Sequence, residues 1–472
     1  MQKVIFTLFL FYTFSSSAQT VEKWNLQKCV DYALAHNTSI QQNELQGEIL
    51  TNNLNQAKLS RIPTLSGSGN HNYNIGRAID PFTNTFNSTT IQSNSFSLSS
   101  GVLLYGGSQV NNTIKQGKVA TDANTKSTEV IRNQIALSVA TTYLQIVQAE
   151  ENLKVATEQQ KLTESQLERA LLLEKSGATN QSNTLLLKAQ SASDKVAIVN
   201  AENAIQLAYN TLINLMQLPL DQSIEIALMD VSSLPEAPTE SVATIYELAL
   251  SNLPEIQQAE LQIQQSQLGE KIAGAGLQPT LSAYGNVNTV YSPSRKEVSL
   301  TGNYTAVPIG FTENSLEQVL QPQPVTIIRE KAFGNQLTDN LGQQVGVSLS
   351  VPIFNGYRNR TALENAKVNT RISELTLENT KNQLRNDITT AYTNLKAAKS
   401  RYDAALLNVE AQRLSFDYSQ KRFDAGVMNS VDLLSAKNLW NQAQIQALNA
   451  KYEYVFRTLI IDFYKGKQLQ LK

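Results

Sequence analysis

The chain is written twice. Ala33, Ile40, Glu44, Leu45, Pro63 and Leu65 return in order as Ala249, Ile256, Glu260, Leu261, Pro279 and Leu281, all at an offset of 216 residues. Further on, Gly107, Lys118, Tyr143, Ala149, Gly177 and Leu185 return as Gly356, Lys367, Tyr392, Ala398, Gly426 and Leu434 at a second constant offset of 249. The second copy is therefore 33 residues longer, and all of the excess lies between its two β-like segments. Self-similarity of this kind fixes the architecture before any local feature does: two halves share one fold.

Each copy pairs two β-like segments with a long helical stretch. All 12 prolines fall outside the windows Phe82 to Leu218 and Ile353 to Lys472, and a proline in a helix interior costs about 3 kcal/mol. Within the second window Leu384, Ile388, Tyr392, Leu395, Ala398, Tyr402, Leu406 and Val409 recur at intervals of three and four, the seam of a coiled coil. A helix from Ser108 to Lys175 carries about 100 Å at 1.5 Å per residue, more than a globular domain needs. Each helical stretch is broken once by a glycine, at Gly177 and at Gly426, where a left-handed residue ends a helix. Asn180 and Ser182, and in the second copy Asn429 and Ser430, are candidate caps for a returning helix. The result is an antiparallel hairpin with the glycine at its tip. The spacing predicts hairpins over about 108–216 and 357–464, with shorter helices over Leu26–His36, Ile40–Leu59, Ile245–Asn252 and Glu255–Ala275. A linker spans 231–239 with Pro235 and Pro238, preceded by a short strand at Ile224–Ala227. The repeats span 19–230 and 240–472.

The β-like segments, about 64–75, 93–105, 280–291 and 342–353, alternate with period two. In the first, Thr64, Ser66, Ser68, Asn70, Asn72 and Asn74 form one face, and Leu65, Gly67, Gly69, His71, Tyr73 and Ile75 the other. Small polar residues on one face and apolar ones on the other is the pattern of a membrane barrel with a wet lumen, and equally of a half-buried antiparallel sheet. Lys3, the apolar run from Val4 to Phe14, and Ser16, Ser17 and Ala18 fit an export signal over residues 1–18, which favours the barrel. No later segment reaches the apolar length of a membrane helix. Four strands cannot close a barrel, and open edges are not tolerated in lipid, so the chain is expected to oligomerise. Tyr73, Tyr284 and Tyr291 suit either a membrane interface or an ordinary sheet position. The segment Ser292 to Asn340, holding most of the excess, is expected to be a long extracellular loop.

Lys plus Arg (39) nearly balances Asp plus Glu (40), so no field draws the chain to nucleic acid. His36 and His71 are far apart and Cys29 is the only cysteine, so metal and nucleophilic sites lack their usual ligands. Cys29 is expected to be a buried structural thiol, and the charged residues of the long helices to be solvated faces and intrahelical pairs. No enzyme activity and no cofactor are expected.

Arg422-Phe423-Asp424-Ala425-Gly426, followed by Asp432-Leu433-Leu434 and Ala436, resembles the helix-tip motif of the TolC-type outer-membrane efflux proteins, and the order of elements in both halves is similar to that family's duplicated layout. The resemblance covers about Leu26 to Tyr464. It implies an α+β membrane protein, a homotrimer whose 12-stranded β-barrel in outer-membrane lipid continues as an α-helical barrel through the periplasm. It further implies a passive exit duct of a tripartite efflux or type I secretion system, working with a periplasmic adaptor (membrane fusion) protein and an inner-membrane pump of the RND, ABC or MFS type. By that resemblance Gly177, Ala178, Arg422, Phe423 and Gly426 belong to the adaptor-docking tips, and Asp432 to a ring of carboxylates at the periplasmic aperture. The family's second aspartate is Ser435 here and its arginine is Met428, which leaves open closure by apolar contact at Val427 and Met428. The competing class is a surface structural or adhesive coiled-coil assembly without transport; only a duct explains both amphipathic hairpins and helices of such length.

Overall fold

The computed structural model describes residues 23–79, 84–87, 91–177, 179–219, 224–227 and 238–467. The predicted export signal, residues 231–237 of the linker, and Ala178 lie outside them. In chain order the elements are β1 (Lys23–Trp24), α1 (Leu26–His36), α2 (Thr38–Leu59), β2 (Thr64–Asn74), β3 (Ala78–Ile79), β4 (Phe86–Asn87), β5 (Ile91–Gly106), α3 (Gln109–Lys175), α4 (Gln181–Met216), β6 (Glu225–Ile226), α5 (Val242–Asn252), α6 (Pro254–Ala275), β7 (Thr280–Tyr291), β8 (Lys296–Phe311), β9 (Gln318–Glu330), α7 (Phe333–Asp339), β10 (Gly342–Ser350), α8 (Arg358–Asp424) and α9 (Ser430–Tyr464). The long helices α3 and α8 both have 67 residues. The described residues form two compact units, one within Met1–Glu48, Thr121–Gln262 and Ser373–Lys472, the other within Ile49–Ala120 and Ile263–Ile372.

The first unit is helical, and its core is duplicated like the sequence. Ala33 is buried in one cluster with Val139, Tyr143 and Ile146 of α3, and its repeat mate Ala249 in another with Ile388 and Leu395 of α8; Ile40 and its mate Ile256 are both buried. Each large side chain so buried contributes about 1.5–3 kcal/mol. The short helices start where a side chain accepts an orphan amide: Asn25 Oδ1 from Lys28 N at 2.8 Å and Ser241 Oγ from Thr244 N at 3.2 Å. Pro254 opens α6, a position with no intrahelical N–H bond to lose. β1 and β6 pair in parallel, so the short strand expected near Ile224 is present, and the Tyr143 hydroxyl donates to the Ala227 carbonyl beside it. Cys29 is fully buried. Of the predicted seam, Leu384, Ile388, Leu395 and Ala398 are buried and Tyr392 is half-buried, whereas Leu406 beyond them is exposed.

The second unit holds an antiparallel four-stranded sheet in the order β10-β7-β5-β2. Register places Ser66 opposite Ser99 and Ser68 opposite Ser97, and each pair of hydroxyls is hydrogen-bonded at 2.8 Å. The same face continues through Ser282, Tyr284 and Asn286 of β7 to Ser348 and Gly346 of β10. Tyr284 therefore lies on the Ser/Asn face, over Gly346, where a β-carbon would come within 2.8 Å of its hydroxyl. On the other face Leu65, Leu98, Val345, Val347 and Leu349 are exposed, Val345 to 90%.

The long excess segment is not an irregular loop. β8 and β9 form a two-stranded ribbon, and α7 clasps its base to β7. Ser292 N–H donates to Gln336 Oε1 at 3.1 Å, Thr289 Oγ1 to the Leu337 carbonyl at 2.7 Å, and Asn340 Nδ2 to the Val290 carbonyl at 2.7 Å. Ser292 and Gln336 are completely buried.

Candidate gate and docking tips

The two hairpin tips are built alike. At the end of α8, Gly426 N–H donates to the Phe423 carbonyl and Val427 N–H to the Arg422 carbonyl, both at 3.0 Å, with Gly426 at φ 72°. That pair of bonds is the Schellman closure, which satisfies orphan carbonyls and requires a left-handed residue. At the end of α3, Gly177 has φ 75° and its N–H donates to the Glu174 carbonyl at 3.0 Å. Asn180 Oδ1 then accepts from Asn183 N at 3.2 Å to start α4, and Asn429 Oδ1 from Asp432 N at 2.8 Å to start α9. A β-carbon at Gly177 or Gly426 would meet nothing within 4 Å, so the demand for glycine is conformational and not steric.

The tips meet through polar contacts. Arg169 Nη1 lies 2.5 Å from Asp424 Oδ1, Gln166 Nε2 donates to Gln420 Oε1 at 2.9 Å, and Ser430 Oγ bonds Asn183 Oδ1 at 2.6 Å. Beneath them Phe416 stacks on Trp440 with ring centroids 5.1 Å apart, over buried Leu433.

Of the residues singled out in the sequence, Gly177, Gly426, Arg422 and Val427 are exposed at the turns, while Phe423 and Met428 are half-buried; Ala178 lies outside the described residues. Asp432 is exposed in the first turn of α9, where the positive end of the helix dipole favours a carboxylate. It has no ion-pair partner among the described residues, and no cluster there could hold a metal ion.

Not every charged residue of the long helices is solvated, contrary to the expectation from their sequence. Lys437 on α9 is 1% exposed and Asp194 on α4 is 7% exposed. The Lys437 ammonium lies 3.2 Å from Asp194 Oδ2, donates to the Gln159 carbonyl at 3.1 Å, and also reaches the Thr163 hydroxyl of α3. Gln190 Nε2 donates to the other Asp194 oxygen at 2.7 Å. Burial pulls the Lys437 pKa below its usual range, opposed by the Asp194 carboxylate beside it. The only signal was position: Lys437 falls four residues after Leu433 and three before Trp440, on the seam.

The outer membrane efflux protein family matches residues 29–216 and 245–457, and the chain belongs to that family. The outer membrane protein TolC of Escherichia coli is 28% identical over 132 residues, 28% of this chain and 27% of that protein. The alkaline protease secretion protein AprF of Pseudomonas aeruginosa is 27% identical over 122 residues, 26% of this chain and 25% of AprF. These matches span about a quarter of each curated relative. The fold extends further: the outer membrane channel CmeC of Campylobacter jejuni superposes with a TM-score of 0.73 at 19% identity, covering 95% of this chain and 87% of CmeC.

Proposed function

We propose that the protein is the outer-membrane exit duct of a tripartite efflux or type I secretion system, passively conducting substrate from a periplasmic adaptor and an inner-membrane pump to the exterior. The observation that carries this reading is the four-stranded sheet, polar on one face, apolar and uncovered on the other, with β10 and β2 left as open edges. In hydrocarbon an open edge leaves backbone groups unsatisfied at several kcal/mol each, so β10 of one copy pairs with β2 of the next. With three copies, as in the family resemblance, twelve strands close, the Ser/Asn ladders face water inside, and Val345, Val347 and Leu349 face lipid. A surface adhesin with a soluble cap gives that apolar face no partner.

In this reading the tips at Gly177, Ala178, Arg422, Phe423 and Gly426 dock the adaptor. Asp432 from each copy forms a carboxylate ring at the periplasmic aperture, flanked by the apolar Val427 and Met428. The duct performs no chemistry; its energy comes from the pump. Detergent extraction of membranes should yield a heat-modifiable trimer. A stable, water-soluble monomer would overturn the assignment.

A further inference from the structure

The β8–β9 ribbon has two unlike faces. Its register pairs Val298 with Ile328, Leu300 with Thr326, Tyr304 with Pro324 and Pro308 with Leu320, so these side chains share one face despite the two bulges. Leu300, Tyr304 and Ile328 are 70%, 69% and 63% exposed. The opposite face carries Glu297, Ser299, Thr305, Gln321, Gln323 and Arg329, interrupted by Val307, Val319 and Ile327. A two-stranded ribbon by itself is marginal in water, and this one leaves its apolar face bare over a strand of 16 residues. Its base is nevertheless fixed, by the buried Ser292–Gln336 clasp and by Lys331 and Arg295 at Asp339.

Resting on the duct reading above, we infer that the apolar face of the ribbon packs against the same face of the neighbouring copies, so that the ribbons of one oligomer cap one another. Three observations choose a second copy over other occupants. The ribbon is inserted between β7 and β10, and β10 is an open edge of the sheet, the edge at which the duct reading joins the next copy, so the contact would continue that seam. Beyond the Lys296–Glu330 ion pair at its base, whose charges offset one another, the face from Val298 and Ile328 to Pro308 and Leu320 bears no charge, as a contact repeated about a symmetry axis requires, since like charges would otherwise meet. The segment from Lys296 to Glu330 carries two cations against four carboxylates, and Lys296 lies 3.4 Å from Glu330, so anionic lipid headgroups are not attracted. Pro322 and Pro324 lack the donor a ladder needs and blunt the free edge of β9, which leaves packing on the face as the mode of contact. Oligomerisation supplies the partner at high effective concentration.

The test uses the full-length protein in detergent with a single cysteine introduced by Leu300→Cys, Tyr304→Cys or, as the control on the opposite face, Gln323→Cys. Cys29 does not compete, being fully buried with its thiol pKa pushed up to about 12 by desolvation. A short bis-maleimide should link chains at Leu300→Cys and Tyr304→Cys at least five-fold more than at Gln323→Cys. Equal or absent linking, with native electrophoresis still showing the oligomer, overturns the cap and leaves the duct standing. Quenching of a Leu300→Cys-attached fluorophore by brominated lipid in vesicles overturns it in favour of the bilayer. A monomer throughout overturns the cap and the duct together.

Discussion

The two hairpin tips share a sequence plan and differ in what surrounds it. At the offset of 249, Lys188 on α4 is the mate of Lys437 on α9, and Asn183 the mate of Asp432. Lys188 is exposed, whereas Lys437 is buried on Asp194. Asn183 bonds Thr179 Oγ1 at 2.8 Å and accepts from Ser430, whereas Asp432 points at no partner among the described residues. The cause is the position of α9, which touches α3 through Gln159–Gln444, α4 through Asn438–Gln190 and α8 through Phe416–Trp440. A lysine surrounded on three sides must find an acceptor or not be buried at all. The buried ion pair thus joins the two hairpins, its ammonium from α9 and its carboxylate from α4, while Lys188 stays solvated and Asp432 is exposed without an ion-pair partner among the described residues.

The largest effect expected from this contrast is at Lys437. Lys437→Met leaves a buried carboxylate uncompensated, a loss of about 3–5 kcal/mol, while Lys437→Met with Asp194→Leu should recover most of it. Lys188→Met should change stability by less than about 0.5 kcal/mol. Thermal unfolding of the solubilised protein distinguishes them; equal effects at the two positions would break the comparison.

The glycines come next. Gly426→Leu and Gly177→Leu each force a side chain into left-handed backbone at about 1–2 kcal/mol, and Gly426→Asn should be milder. Export should fall with either leucine while membrane insertion survives. Export unchanged in Gly426→Leu would place docking elsewhere.

Removing a cap, Asn429→Ala or Asn180→Ala, should cost about 1 kcal/mol each by the same unfolding measurement. Asp432→Asn should barely change stability but weaken divalent block of single-channel current, because like charges held close bind cations. Divalent sensitivity unchanged in that variant would move the gate to Val427 and Met428. Least of all, Arg169→Ala should cost no more than about 1 kcal/mol, since its pair with Asp424 is half-exposed.

Much of this was legible beforehand. The repeat, both glycine turns, the asparagine caps and the four alternating strands could be read because each depends on local chemistry: left-handed backbone, an orphan amide, a period of two. The Lys437 site could not, since the same lysine stands at the same repeat position in α4 and only packing separates them. The ribbon was missed for a different reason. Bulges at Leu300/Tyr304 and Pro308/Gly310 break its alternation, and Pro308, Pro322 and Pro324 read as loop punctuation. Nor does Val345 differ in sequence from an ordinary core valine; its exposure follows from the sheet's open side.

The most direct test of the account is current through purified full-length protein in a planar lipid bilayer. The duct reading predicts discrete, long-lived conductance steps from the heat-modifiable oligomer, reduced by divalent cations. Oligomer that inserts yet passes no ions, with or without divalent cations, would contradict it.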